Sequence, residues 1–87
     1  MEKGQIVRSL KGRDKDSFLM VVGSVGENLL LCDGKARPLE RPKLKSKKHV
    51  EATPLIIEQK TVTGNKTLRR LLNKKVNGLP KEENKNV

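Results

Sequence analysis

Short apolar runs recur along the first 55 residues, and none has the length or the period of a helix. Four of them, at 4–10, 18–22, 29–32 and 49–53, are rich in β-forming residues and end at glycine, proline or charged residues, and a turn signal before 36–39 adds a fifth candidate there. They predict five short strands, a spacing typical of a small all-β barrel or sandwich. The run 18–22 is apolar on both faces, which suits the middle of a closed or stacked sheet.

The dipeptide Asp33-Gly34 favours a tight two-residue hairpin, because both central positions of such a turn need positive φ. Residues 36–39 are then expected to form the returning strand. Pro38 lies in that strand and cannot donate to a ladder, so the strand should be an edge or end early. Residues 43–48 are expected to form a basic connection to the last strand.

The hydrophobic period changes near the C-terminus. One helical stripe is formed by Leu68, Leu71, Leu72 and Val76. The spacing predicts an amphipathic α-helix over about 66–77, capped at its start by Thr63 or Asn65. Asn77-Gly78 suits its end, and Pro80 prevents its continuation.

These elements predict a mainly β protein in three parts. Residues 1–57 form the barrel, residues 58–79 a linker and the basic amphipathic helix, and residues 80–87 a disordered tail. Residues 55–62 allow two interpretations, a continuation of the last strand or a linker that packs on the barrel through Ile56 and Ile57.

The composition offers no set of residues for chemistry. Cys32 and His49 are the only residues of their types, so no metal site or nucleophilic pair is expected. Gly23 and Gly26 do not precede a helix, so they do not make a phosphate loop of the nucleotide-binding kind. We therefore expect no enzyme activity, no cofactor and no small-molecule substrate.

The sequence lacks the apolar segments that membranes and secretion require. The N-terminus has no signal-type apolar stretch, and the longest apolar run, 18–22, is far below the roughly 20 residues of a membrane span. The helical stripe has four apolar positions and no Trp or Phe, which argues against a membrane partner. A cytoplasmic location is expected, and a lone cysteine agrees with a reducing compartment.

The positive charge is concentrated in the second half of the chain. The formal net charge is +10, and residues 1–42 hold eight Lys and Arg against six Asp and Glu, whereas residues 43–87 hold twelve against four. This asymmetry indicates a polyanionic partner. With Phe18 as the only aromatic residue, and expected in the core, base stacking is not the expected main contact, which leaves phosphate and shape recognition of folded RNA.

The segment GQIVRSLKGRDKDSFLMVV, residues 4–22, resembles a KOW motif, which is a strand, a charged loop with a pivotal glycine and a second strand. Gly12 takes the place of that glycine. With LLLCDG at 29–34, the resemblance covers about residues 2–48 and points to the archaeal and eukaryotic large-subunit ribosomal proteins of the KOW class and their small bacterial relatives. It implies a five-stranded SH3-like barrel that binds ribosomal RNA through its first loop.

The candidate RNA-binding residues form three groups. The resemblance assigns the first loop, and Arg13 is its best member because a planar guanidinium suits a phosphate. The charge pattern adds a basic strip after Pro42 and one side of the helix. The groups are Lys11, Arg13 and Lys15; Lys43, Lys45, Lys47 and Lys48; and Arg69, Arg70, Lys74 and Lys75.

The sequence therefore predicts a non-catalytic, cytoplasmic protein that grips structured RNA by its phosphates. Ribosomal RNA is the expected partner, with ribosomal or other translation proteins as possible neighbours. An adaptor of the transcription or translation machinery, docking through the barrel edge or the leucine stripe, is the alternative.

Overall fold

The computed structural model describes residues 1–79, which form a mainly β fold with one C-terminal helix. The elements are β1 (Gln5–Ser9), β2 (Phe18–Val25), β3 (Asn28–Cys32), β4 (Lys43–Ser46), β5 (Val50–Ile56) and α1 (Asn65–Asn77). Short 3₁₀ turns at Lys47–His49 and Gln59–Thr61 flank β5. The expected tail at 80–87 lies outside the described residues. No helix within 1–79 is long and apolar enough to cross a bilayer.

The five strands make one antiparallel sheet in the order β4-β3-β2-β1-β5. Among the described residues the edge strands β4 and β5 each pair with one neighbour, so the sheet is open. β5 continues through Pro54 to Ile56, whereas the sequence predicted that Pro54 ends the strand. A proline is tolerated there because β5 is an edge strand. The strand interpretation of residues 55–62 thus holds as far as Ile56, and Ile57 then packs into the core.

The hairpin predicted at Asp33-Gly34 is wrong. The Asp33 carboxylate accepts the backbone N–H groups of Lys35 at 2.8 Å and Arg37 at 2.9 Å. The N–H groups of Asp33 and Gly34 both donate to the Arg37 carbonyl. Because these bonds satisfy the turn locally, residues 33–42 form a loop instead of a two-residue hairpin. The returning strand is β4, in the segment predicted to be a connection.

The two faces of the sheet bury separate hydrophobic clusters. On one face Ile6, Met20 and Cys32 lie opposite each other in register, and α1 covers them. The other face buries a cluster drawn from β1, β2, β3 and β5, made of Val7, Leu19, Val21, Leu29, Leu31 and Val50. Within residues 1–79 no helix covers this second cluster, so the sheet itself must curl around it.

A contact between β4 and β1 demonstrates the curl. On a flat sheet these strands would lie about 14 Å apart, three spacings of about 4.8 Å. Yet Lys45 Nζ of β4 donates to Ser9 Oγ of β1 at 2.8 Å. The sheet is therefore strongly coiled, as a small barrel-like fold requires.

The helix α1 packs on the sheet through Leu68 and Leu72, which are 0% and 1% exposed. Neither Thr63 nor Asn65 caps it, and Gly64 occupies the N-cap position without a side-chain bond. Asn65 instead joins the helix to the loop 33–42, where its Oδ1 accepts Leu39 N at 2.8 Å and its Nδ2 donates to Glu40 at 2.8 Å. The predicted end at Asn77-Gly78 is confirmed.

Cys32 offers a test of this packing. Burial, aided by the carboxylates of Asp33 and Glu40, raises the pKa of the Cys32 thiol to about 11. The fully buried side chain also places Sγ 3.4 Å from the Pro38 carbonyl. At pH 8 we expect a thiol reagent to label the native protein far more slowly than the guanidinium-unfolded chain. In the native protein the reagent cannot reach Cys32, and the thiol is not ionised to the reactive thiolate. Equal labelling rates in the two states would contradict the buried position.

Candidate nucleic-acid interface

The loop between β1 and β2, residues 10–17, folds back on its own backbone. Ser9 N donates to Ser17 O at 2.9 Å, and Asp16 N donates to Ser9 O at 2.8 Å. Gly12 at φ 91° and Asp16 at φ 72° adopt the left-handed conformation, which glycine favours and aspartate tolerates. The tight loop leaves three predicted residues exposed, Lys11, Arg13 and Lys15.

The Asp14 carboxylate turns in the opposite direction, into the molecule. Oδ1 accepts hydrogen bonds from Ser9 Oγ and Lys45 Nζ, both at 2.8 Å. Oδ2 is buried without a well-oriented hydrogen bond, and Lys43 Nζ lies 3.0 Å from it. Lys45 Nζ also donates to the Lys11 carbonyl at 2.6 Å. We call Ser9, Asp14, Lys43 and Lys45 the Asp14 anchor.

The anchor keeps Asp14 ionised. Burial of the carboxyl group opposes ionisation, but the hydrogen bonds from Lys45 and Ser9 and the nearby charge of Lys43 outweigh it and hold the pKa of Asp14 well below its usual range. The carboxylate therefore faces both lysines and offsets one of their two positive charges.

The structure contradicts the expected RNA contact at Lys45. Its side chain is 7% exposed and its ammonium group is surrounded by protein oxygens. Lys43 is half-buried against Asp14, whereas Leu44 between them is 52% exposed. The reason is strand alternation, which turns Lys43 and Lys45 to the inner side of β4 and Leu44 outward.

The other two lysines of the predicted strip lie next to the β1–β2 loop. Lys47 and Lys48 occupy the 3₁₀ turn that follows β4, and Lys48 is exposed. The backbone carbonyl of His49, the last residue of that turn, accepts a hydrogen bond from Leu10 N at 2.8 Å. Since Leu10 begins the loop, the turn and the loop lie together at this end of the sheet.

The second acid of the loop is also paired. Asp16 Oδ1 lies 3.0 Å from Arg8 Nη1, and the same guanidinium lies 3.1 Å from Glu51. Both acids among the loop lysines therefore have basic partners on strands. This leaves the exposed cations of the loop without a carboxylate within 4.0 Å among the described residues.

The helix contributes exposed cations and one paired arginine. Arg69 is half-buried, with Nη1 3.9 Å from Asp33 Oδ2. The remaining predicted residues of the helix, Arg70, Lys74 and Lys75, are exposed. Lys74 and Lys75 also lie in the last turn, where cations interact favourably with the helix dipole.

A further group of cations was missed from the sequence. The loop 33–42 exposes Lys35, Arg37 and Arg41. The sequence analysis does not include them because it predicts a strand at residues 36–39. Three basic residues within one proline-containing segment were the available signal.

An open cleft of about 370 Å³ lies between the β1–β2 loop, the loop 33–42 and α1. Phe18, which the sequence placed in the core, packs against the cluster under the helix but also lines this cleft. The other lining residues are Ser17, Asp33, Lys35, Ala36, Arg69, Leu72, Asn73 and Val76.

Within residues 1–79, no group of three or more His, Cys, Asp and Glu side chains is placed to hold a metal ion. The absence of enzyme activity remains a prediction. In the comparisons with known proteins, no family model and no curated protein matches the chain.

Proposed function

We propose that this protein binds structured RNA by gripping its phosphates, with the β1–β2 loop and the adjoining 3₁₀ turn as the main contact surface. The observation that carries the proposal is the pairing of both loop acids with strand residues. Asp14 is held by Lys43 and Lys45, and Asp16 by Arg8. The exposed cations of the loop are thereby left available to a polyanion.

The shape and charge of the fold support this proposal. Phosphate contacts need exposed Lys and Arg held on a rigid frame, and the Asp14 anchor ties the loop to two strands of the sheet. The proposed surface comprises Lys11, Arg13, Lys15, Lys47 and Lys48, and Lys45 is excluded from it. Arg70, Lys74 and Lys75 extend the basic character along the helix.

The proposal includes a KOW-type, SH3-like barrel and association with the ribosome. The coiled sheet of five antiparallel strands supports the barrel. A glycine with φ 91° at Gly12, the pivotal position of the motif, supports the KOW interpretation. Sedimentation of cell extract should place the protein with ribosomal particles at low salt and release it at high salt.

Salt titration of RNA binding tests the phosphate contacts. Against an RNA hairpin, log K should fall linearly with log salt, with a slope of roughly −0.7 to −0.9 for each phosphate contacted. The triple variant Lys11→Gln, Arg13→Gln and Lys15→Gln should bind about tenfold or more weakly and reduce the slope by about 2 to 3.

The matched control removes the same charge just before β1, in the 3₁₀ turn after β5 and on the first turn of the helix. It carries Lys3→Gln, Lys60→Gln and Lys66→Gln, all exposed positions. It should retain most of the affinity and slope. Equal losses in the two triple variants would contradict a localised surface, and binding without salt dependence would contradict phosphate recognition.

Docking of another protein on the β4 edge is the second candidate function. Leu44 is 52% exposed on an edge strand and lies opposite Leu30 in the ladder. The leucine stripe offered for this role is instead packed on the sheet through Leu68 and Leu72. Crosslinking in lysate followed by nuclease treatment discriminates the two candidate functions, because the complex of an adaptor survives the loss of RNA. The variant Leu44→Lys should abolish such a complex.

A further inference from the structure

We infer that the cleft beside Phe18 receives one unpaired base of the bound RNA, with the adjoining phosphate held by Lys35 and Arg69. The inference rests on the proposed RNA binding and specifies which RNA feature the protein prefers. It departs from the sequence analysis, which placed Phe18 wholly in the core.

The floor of the cleft suits a flat, apolar-faced group. Phe18 is partly exposed there, and Ala36, Leu72 and Val76 complete the apolar lining. Unpaired RNA bases are commonly bound by stacking on an aromatic side chain, whereas paired bases are shielded within the helix. A volume of about 370 Å³ is in the range of small-ligand pockets.

The rim of the cleft carries the charge that a nucleotide needs. Lys35 and Arg69 lie on opposite walls, one on the loop 33–42 and one on α1. Asp33, the one acid in the lining, is occupied, since its Oδ1 accepts two backbone N–H groups and Arg69 lies 3.9 Å from its Oδ2. Asn73 adds an exposed amide that both donates and accepts.

The position of the cleft makes it continuous with the proposed phosphate surface. Ser17, the last residue of the loop that exposes Arg13 and Lys15, lines the cleft together with Phe18, the first residue of β2. An RNA strand held on that loop therefore passes the mouth of the cleft, where a base can turn in while its neighbours remain on the loop.

The decisive comparison uses two RNA hairpins with equal numbers of phosphates, one with an intact loop and one whose loop nucleotides are abasic. We expect the intact hairpin to bind about tenfold more tightly at the same salt concentration. Ala36→Leu fills the cleft from an exposed position and should abolish that preference without changing affinity for the abasic hairpin. Ala52→Leu, the same change at an exposed site on β5, should leave the preference intact.

A fluorescent reporter gives a second measurement that does not depend on affinity. The chain has no tryptophan, so Phe18→Trp supplies a single emitter in the cleft. Its fluorescence should be quenched by the intact hairpin and not by the abasic one. Ile56→Trp, on an exposed position of β5, should respond to neither. Circular dichroism of each variant confirms that it is folded.

The possible results separate the inference from the proposed function. Equal, steeply salt-dependent binding of both hairpins, with no quenching of Trp at position 18, would overturn the inference and leave phosphate binding standing. If neither hairpin binds in a salt-dependent way, both the inference about the cleft and the proposed phosphate binding are overturned. A further result to test for is that adenosine monophosphate quenches the fluorophore at the same concentrations at which the RNA hairpin saturates the signal. That result would make the cleft a small-molecule site and overturn its assignment to RNA.

Discussion

Replacing Asp14 with asparagine should lower the free energy of unfolding by about 3 kcal/mol, the cost of leaving a buried charge without its partner. The Lys45 side chain is 7% exposed, and its ammonium group would then be surrounded only by neutral oxygens, those of Ser9, Lys11 and the introduced amide. Equilibrium unfolding in urea, followed by circular dichroism, measures the loss. The loss is a large fraction of the stability of a domain this small.

Two further variants attribute the loss to the buried charge. Asp16→Asn changes the neighbouring acid, whose side chain is 64% exposed, and should cost less than about 1 kcal/mol. Adding Lys45→Met to Asp14→Asn should recover part of the loss, because the unpaired charge is then gone. Similar destabilisation by Asp14→Asn and Asp16→Asn would contradict the anchor.

The same variant should respond differently to acid. The pKa of Asp14 is lower in the folded state than in the unfolded state, where it lies near the ordinary value of about 3.9. Its contribution to stability is therefore present in full well above pH 4 and is lost as the pH falls below that value. Between pH 5 and pH 2 the wild-type protein should lose stability more steeply than Asp14→Asn does.

Replacing Gly34 with alanine should destabilise the protein by about 3 kcal/mol or more through two effects at one position. Gly34 has φ 82°, which costs alanine about 1–2 kcal/mol. A methyl group there would also overlap the Asn65 carbonyl oxygen and lie 3.0 Å from Arg69 N. The loop 33–42 would have to move off the helix.

Gly26→Ala is the matched control for Gly34→Ala. Gly26 has φ 58°, and an added methyl group would meet no atom within 4 Å. Its cost should be the backbone term alone, about 1–2 kcal/mol. The difference between the two variants in urea unfolding measures the close approach of loop and helix, and faster labelling of Cys32 should accompany Gly34→Ala. Equal costs would mean that the loop does not pack on α1 as described.

The elements that local sequence patterns specify agree with the structure. β1, the start of β2, β3 and the helix all lie where their apolar periods predict them. The errors cluster between Asp33 and Ser46, where the Asp33 carboxylate replaces the hairpin by a side-chain-bonded loop. A turn dipeptide indicates that the chain bends, and the partners of its side chain decide what kind of bend it makes.

The sequence predicts that the candidate surface consists of lysine and arginine, but it does not predict which of these residues belong to it. The sequence identifies Lys11, Arg13 and Lys15 as loop cations, and the structure leaves them exposed. It groups Lys45 with them because charge alone does not distinguish a solvated lysine from a buried one. The burial of Lys45 depends on Asp14, which lies 31 positions away along the chain.

By itself the sequence determined the positions of β1, the start of β2, β3 and the helix, and the concentration of positive charge, because each depends on residues within a few positions of one another. The tertiary structure decided how that charge is used. Coiling of the sheet brings β4 to the β1–β2 loop, so that Lys43 and Lys45 turn inward to Asp14 while Arg13 and its neighbours face outward. A lysine is seldom buried unless an acid lies within hydrogen-bonding distance of its ammonium group. Here that acid is distant in the sequence, and only folding brings the two side chains together.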